Sequence, residues 1–130
     1  MANGVLVDSS FFIRRFRERR DPLLELLAHT DAWDPATCGM VKVEVCRGLV
    51  FPAMRRRYAG AFAAMLWVPT DATVWERAAE LAWNLDHAGQ AVPAPDLVIA
   101  ACALAIDAPV LTFDAHFGGI PGLRVLASLA

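Results

Sequence analysis

Three aspartates occupy positions from which they could act together. Asp8 follows the apolar run at residues 5–7, and Asp114 follows a second apolar run at residues 110–113. Asp96 opens a third, longer apolar segment. Carboxylates crowded at one place repel each other unless a cation or protons neutralise them. If a cation is bound, oxygen ligands of this kind suit the hard ions Mg²⁺ and Mn²⁺ rather than zinc.

The elements next to these aspartates explain why they would meet. Residues 4–7 and 109–113 have the short, β-branched pattern of buried strands, whereas residues 96–106 have the nearly all-apolar composition of a buried helix. In a parallel sheet, the carboxyl ends of strands and the starts of the following helices lie at the same edge. We therefore expect Asp8, Asp96 and Asp114 on one rim. Each also fits an ordinary role, respectively as a helix cap, a first-turn charge and the start of a tight turn.

The rest of the chain alternates between helix and strand patterns. Helices are predicted around Phe12–Phe16, from Asp21-Pro22, around Tyr58–Leu66 and over Asp71–His87, with short strands at residues 66–68 and 123–126. The segment Met40–Val50 is ambiguous, because its valines alternate as in a strand but also share one helical face. Alternating strands and helices predict one α/β domain over residues 1–130 with a mostly parallel sheet.

Composition excludes several classes of protein. The 130 residues are 57% hydrophobic and 20% charged, which is not the composition of a disordered chain. The longest uncharged stretch, Tyr58–Thr70, is too short to cross a bilayer, and no basic region precedes an apolar run at the N-terminus. We therefore expect a cytoplasmic protein without a membrane segment. Three cysteines without a C-x-x-C motif argue against a disulfide framework and against a zinc site.

Four segments, in order, resemble the signature blocks of PIN-domain ribonucleases. They are Val5-Leu6-Val7-Asp8-Ser9-Ser10, then Glu44, then Pro95-Asp96-Leu97-Val98-Ile99-Ala100-Ala101, and finally Thr112-Phe113-Asp114-Ala115-His116-Phe117. The chain length and the position of Gly89 most resemble the VapC-type toxins of bacterial toxin–antitoxin operons. The resemblance covers residues 4 to about 126. It implies a PIN-like three-layer α/β/α fold with a mostly parallel central sheet.

The resemblance also implies an activity. The acids Asp8, Glu44, Asp96 and Asp114 would hold Mg²⁺ or Mn²⁺ and hydrolyse phosphodiester bonds in RNA. Because Glu44 then belongs to the acidic site, the ambiguous segment at residues 40–50 would be a helix.

Several further polar residues match this resemblance. Ser9, Ser10 and Thr112 stand at polar family positions, where they would support the acids or contact phosphate, or else act only as caps and turn formers. His116 stands where the family often has another acid. It would take part in proton transfer or substrate contact, or be an ordinary loop histidine.

The resemblance implies partners as well. A cognate VapB-like antitoxin would cover the acidic rim and insert an arginine among the carboxylates. A homodimer is expected, both from the family and from the high apolar content, and Tyr58, Phe62, Met65 and Leu66 are a candidate for part of its surface. The four tryptophans are expected in core or interface packing.

Charge is unevenly distributed along the chain. Residues 1–57 hold ten of the twelve basic residues against seven acids, while residues 58–130 hold two against seven. The arginines at 14–20 and 55–57 could therefore bind RNA phosphates. A run of charge on a helix is more often a solvated face, or here an interface with an acidic partner.

Two other classes compete with this interpretation. Phosphotransfer domains of the haloacid-dehalogenase or receiver type also place an aspartate after the first strand, but they use a nearby second acid and a late lysine. Here position 10 is Ser10, and no lysine follows Lys42. A non-catalytic binding module with the same fold is the remaining alternative, although all four acids are present.

Overall fold

A five-stranded, wholly parallel sheet forms the centre of the computed structural model, which describes residues 2–130. The strands are β1 (Asn3–Val7), β2 (Trp33–Thr37), β3 (Leu66–Trp67), β4 (Val110–Leu111) and β5 (Val125–Leu126). Their order across the sheet is β3-β2-β1-β4-β5, so β1 is the central strand. The predicted strands at the N-terminus, at residues 66–68 and at the C-terminal edge are confirmed.

In the described part of the chain, six α-helices connect the strands. They are α1 (Ser9–Arg17), α2 (Pro22–Leu27), α3 (Gly39–Cys46), α4 (Pro52–Ala64), α5 (Ala72–His87) and α6 (Ala94–Ala105), and a 3₁₀ helix spans Ala115–Gly119. Val5, Leu6 and Val7 of β1 are all fully buried. Because successive strand residues point to opposite faces, both faces of the sheet are covered. The fold is therefore the expected three-layer α/β/α arrangement. Within residues 2–130, no helix is both long and apolar enough to cross a membrane.

The ambiguous segment at residues 40–50 is a helix, but it ends at Cys46. Val41 and Val45 are buried, whereas Val43, between them, is 60% exposed. This four-residue spacing of buried positions is helical, so packing against the core decides between two patterns that the sequence left open.

Strand β2 was not predicted. It contains Asp34 and Pro35, two residue types that are depleted in strands, and Pro35 lies beside Val5 of β1. Strand β4 was predicted over residues 109–113 but contains only Val110 and Leu111. Thr112, directly after this strand, still donates its backbone N–H to the carbonyl of Leu126 at 3.0 Å, while its hydroxyl reaches Asp8 at the end of β1.

The prediction that Tyr58 and Phe62 form part of a dimer surface is wrong. Tyr58 and Phe62 are 1% exposed, and their rings pack edge-on against Phe12 with centroids 6.3 and 5.5 Å away. They belong to the core. Leu66 and Trp67, immediately after this helix, are 46% and 52% exposed.

The tryptophans are also mostly outside the core. Trp67, Trp75 and Trp83 are all at least half exposed, so core packing is wrong for these three. Trp33 is partly buried, and its indole N–H donates to the carbonyl of Leu129 at 3.2 Å.

Candidate active site

Asp8 lies at the junction between β1 and α1. It is the N-cap of α1, and its Oδ2 accepts hydrogen bonds from the backbone N–H of Ser10 at 3.3 Å and from the hydroxyl of Thr112 at 2.8 Å. The residue is only 2% exposed, yet Oδ1 has no hydrogen-bond partner within the described chain. A buried carboxylate oxygen is almost always paired. Capping therefore accounts for one oxygen of Asp8, and the other is available to a ligand.

A chain of hydroxyl groups fixes this carboxylate. Thr112 gives its hydroxyl hydrogen to Asp8, so its oxygen must accept from Ser10, whose hydroxyl lies 3.0 Å away. The Ser10 oxygen accepts in turn from the backbone N–H of Phe113 at 3.0 Å, and Thr112 accepts from that of Asp114 at 2.9 Å. These bonds join the start of α1 to the loop after β4.

Asp96, Asp114 and His116 form a tighter group at the same rim. Asp96 lies in the first turn of α6, and Asp114 caps the 3₁₀ helix by accepting from the backbone N–H of His116 at 2.9 Å. The His116 Nδ1 atom lies 3.0 Å from Asp96 Oδ2 and 2.9 Å from Asp114 Oδ1. One ligand atom from each residue lies within 4.8 Å of the others, close enough to share a metal ion.

Glu44 approaches the rim from α3. Its Oε1 accepts a hydrogen bond from the hydroxyl of Ser9 at 3.0 Å. Burial raises the pKa of Glu44, and the nearby charges of Asp8 and Asp114 raise it further. Glu44 shares the cleft with the other acids but lies outside the tighter group of Asp96, Asp114 and His116.

The group carries excess negative charge that it partly neutralises with protons. Burial raises the pKa of Asp96 to about 6, with contributions from the charges of Asp114 and Asp8, while the hydrogen bond from His116 opposes this shift. The pKa of His116 is raised, chiefly by that hydrogen bond and by the charge of Asp114. Shifts in these directions are expected where carboxylates crowd together without a cation.

The four acids line one open cleft of about 660 Å³, and His116 lies beside it in contact with Asp96 and Asp114. Its lining comprises Asp8, Ser9, Ser10, Ile13, Arg14, Arg17, Glu18, Glu44, Asp96, Phe113, Asp114 and Ala115. All four predicted acids thus meet in one cleft. An unpartnered carboxylate oxygen on Asp8, two further aspartates and an imidazole nitrogen are donors that fit a divalent cation.

Sequence reasoning missed two features of this cleft. Ser10, Ile13, Arg14 and Arg17 follow an i, i+3, i+4, i+7 spacing, which signals one helix face, and all four line the cleft. For His116, the only signal was its spacing of two residues from Asp114, which did not indicate contact with Asp96.

Comparisons with known proteins agree with this architecture. The chain is 19% identical to a chain in the crystal structure of VapBC2 from Rickettsia felis bound to a promoter DNA fragment, with a TM-score of 0.78 over 95% of this chain and 97% of that one. It is 18% identical to a chain of DNA-bound VapBC from Salmonella typhimurium, with a TM-score of 0.78 and complete coverage of both chains.

A third similar structure is that of a toxin. VapC20 from Mycobacterium tuberculosis, described as cleaving the Sarcin-Ricin loop, is 19% identical, with a TM-score of 0.60 over 92% of this chain and 98% of that one. At these identities the likeness concerns the fold. No curated protein sequence matches significantly. The family model of the PIN domain matches residues 5–123, nearly the whole chain, and this protein therefore belongs to the PIN domain family.

Proposed function

We propose that this protein is a VapC-type toxin, a divalent-metal-dependent endoribonuclease that hydrolyses RNA phosphodiester bonds. The observation that carries the proposal is the unpartnered Oδ1 of Asp8, buried in the same cleft as Asp96 and Asp114. The cap of α1 uses only Oδ2, and buried carboxylate oxygens are almost always paired. A ligand that neutralises all three acids accounts for both the burial and the crowding.

Asp8, Asp96 and Asp114, assisted by Glu44 and His116, would hold Mg²⁺ or Mn²⁺. When bound, the ion lowers the pKa of a water molecule and offsets charge on the phosphate oxygens. The described residues then have separate tasks. Thr112 and Ser10 fix the orientation of Asp8.

In the absence of the ion, three of these groups would also bind protons. Ser9 fixes Glu44 through a 3.0 Å hydrogen bond. The raised pKa values of Glu44 and Asp96 leave either carboxylate able to hold a proton nearer neutral pH than an ordinary acid does. His116, with a raised pKa, can donate a proton at the margin of the same group.

A protein partner is part of the proposal. Similar folds occur in VapBC complexes from Rickettsia felis and Salmonella typhimurium, which supports a VapB-like antitoxin for this chain. The acidic cleft offers such a partner a site for an inserted arginine, whose bidentate hydrogen bonds would replace the cation. We also propose a cytoplasmic location and a homodimer.

Cleavage of total cellular RNA by the purified chain tests the function. We expect cleavage with Mg²⁺ or Mn²⁺ and none with chelator. Asp8→Asn should abolish it, because the substitution replaces a ligand oxygen by an amide. Asp31→Asn makes the same chemical change at an exposed position outside the cleft and should cleave like the parent.

Two results would contradict the assignment. One is cleavage by Asp8→Asn at the parent's rate and the same metal concentration. The other is RNA binding without cleavage under every metal condition, which would favour the alternative of a non-catalytic binding module.

A further inference from the structure

The arginines of α1 do not form one basic patch. Arg15 is engaged by Glu18 at 2.7 Å and by Glu25 at 2.9 Å. Arg14 and Arg17, in contrast, have no carboxylate within ion-pair distance anywhere in residues 2–130. Their charges are therefore available to an anion from outside the chain.

Both of these arginines lie along the cleft that contains the acids. They share one face of α1 with Ser10 and Ile13, and this face lines the cleft. Given a rise of about 1.5 Å per residue, Arg14 stands about 6 Å and Arg17 about 10 Å along the helix from Ser10. Glu18 also lines the cleft at the end of α1, but its carboxylate is paired with Arg15 at 2.7 Å. The unpaired charge along the cleft thus changes from acidic at the start of α1 to basic at its end, over one to two helical turns.

Arg14 is held in place before any ligand arrives. Its guanidinium carbon lies 4.7 Å from the ring centroid of Phe113, within the range of a cation–π contact. The backbone N–H of Phe113 donates to Ser10 at 3.0 Å, so this ring is tied to the hydrogen-bond network around Asp8. The cation is therefore positioned relative to the acids by a short, packed connection.

We propose that Arg14 and Arg17 bind two phosphates of the RNA strand next to the bond that is cleaved. The inference rests on the proposed function. Acidic side chains repel the RNA backbone, so a strand entering this cleft needs cations at its mouth. The planar guanidinium of arginine can donate two parallel hydrogen bonds to two oxygens of one phosphate. Arg14 and Arg17 are about one helical turn apart, which is comparable to the separation of successive phosphates along a strand.

An RNA strand fits this surface better than an acidic protein segment. The acids Asp8, Asp96 and Asp114 repel both kinds of anion, but only an RNA strand brings them the phosphodiester on which the proposed function acts. Both arginines are positioning residues for substrate and stand outside the group of acids that performs hydrolysis.

The salt dependence of RNA binding tests this inference. A short, fluorescently labelled single-stranded RNA of mixed sequence is titrated with the full chain in chelator, where no cleavage occurs, over a series of salt concentrations. Arg14→Gln and Arg17→Gln should each weaken binding several-fold and reduce the slope of log K against log salt by about 0.7. Arg77→Gln removes an equal charge from an exposed position on α5, outside the cleft, and should retain the parent slope.

Conservative substitutions separate charge from geometry. Arg17→Lys should recover most of the affinity, because lysine keeps the charge. Arg14→Lys should recover less, because an ammonium stacks less well on Phe113. In cleavage assays with metal, both glutamine variants should raise KM with little change in kcat, since the lost contacts lie on neighbouring phosphates.

Three outcomes would overturn the inference. The first is that both glutamine variants keep the salt slope of the parent. The second is that the parent chain binds no RNA at low salt. The third is that the glutamine variants bind RNA like the parent and lose affinity only for an acidic protein partner. Failure of the proposed function looks different. In that case the parent cleaves no RNA with either ion, while the salt slopes in chelator still decide the role of Arg14 and Arg17.

Discussion

The Nδ1 atom of His116 lies 3.0 Å from Oδ2 of Asp96, a residue twenty positions earlier in the chain. The same nitrogen lies 2.9 Å from Oδ1 of Asp114. An imidazole therefore stands between two carboxylates at the rim where the sheet ends. Protonated, it neutralises part of their charge; neutral, it offers the same nitrogen to a metal ion.

Stability without metal should fall as pH rises. The folded-state pKa of Asp96, about 6, exceeds its ordinary value of 3.8, so folding strengthens proton binding there. The resulting stability is complete below the ordinary value and is lost as pH rises through the folded value. The raised pKa of His116 acts in the same direction, above its ordinary value of 6.5.

We therefore expect the Tm in chelator to decline from about pH 5 to about pH 8. Saturating divalent metal should remove most of this decline, because the ion replaces the protons. Asp96→Asn should flatten the profile and, at the alkaline end, melt no lower than the parent. A parent profile that is flat, or that rises across this range, would contradict the repulsive cluster.

His116 should influence which ion is bound. Mg²⁺ binds mainly through oxygen, whereas imidazole favours transition-metal ions. His116→Asn is therefore expected to weaken Mn²⁺ binding more than Mg²⁺ binding in calorimetric titrations. His87→Asn, at an exposed position on α5, serves as the control and should leave both affinities unchanged. Equal losses for the two ions would exclude nitrogen ligation.

We expect the hydroxyl group of Thr112 to contribute more to stability and to metal affinity than the size of its side chain does. Thr112→Val keeps the shape but removes the 2.8 Å hydrogen bond to Asp8 and the acceptor for the Asp114 N–H. Buried groups left without partners cost about 1–3 kcal/mol, so we expect a loss of this order in the free energy of unfolding. Metal affinity should fall as well, because Asp8 loses its orientation. Thr112→Ser retains the hydroxyl and should recover most of both quantities; if it behaves like valine, the hydrogen bond is not the cause.

Substitutions of Phe62 and Trp67 should distinguish the contribution of core packing from that of self-association. Phe62→Ala opens a cavity in a fully packed core and should lower the free energy of unfolding by about 3–5 kcal/mol. Trp67 is 52% exposed, so Trp67→Ser should change the stability of the fold little while weakening the expected homodimer. Chemical denaturation and light scattering measure the two effects. A monomeric parent at micromolar concentration would contradict the dimer, and an unchanged dimer in Trp67→Ser would place its surface elsewhere.

The sequence by itself determined which acids share the rim. Each lies where a local pattern changes: Asp8 and Asp114 follow apolar strands, and Asp96 opens a helix started by proline. Such boundaries depend on neighbours within a few residues, and parallel strands bring their ends to one edge. The α/β fold with a mostly parallel sheet and the common position of these three carboxylates therefore followed from local information, whereas the PIN-like fold and the role of Glu44 followed from the family resemblance.

Only the tertiary structure decided which contacts form between distant segments. Pro35 lies in a strand because β1 and β3 flank it, against its own preference. Tyr58 and Phe62 face Phe12 rather than a second copy of the chain. Arg15 differs from Arg14 because the carboxylates of Glu18 and Glu25 reach one and not the other, and Glu25 lies on a different helix. These outcomes depend on packing between elements, for which a residue's type and its immediate neighbours carry no information.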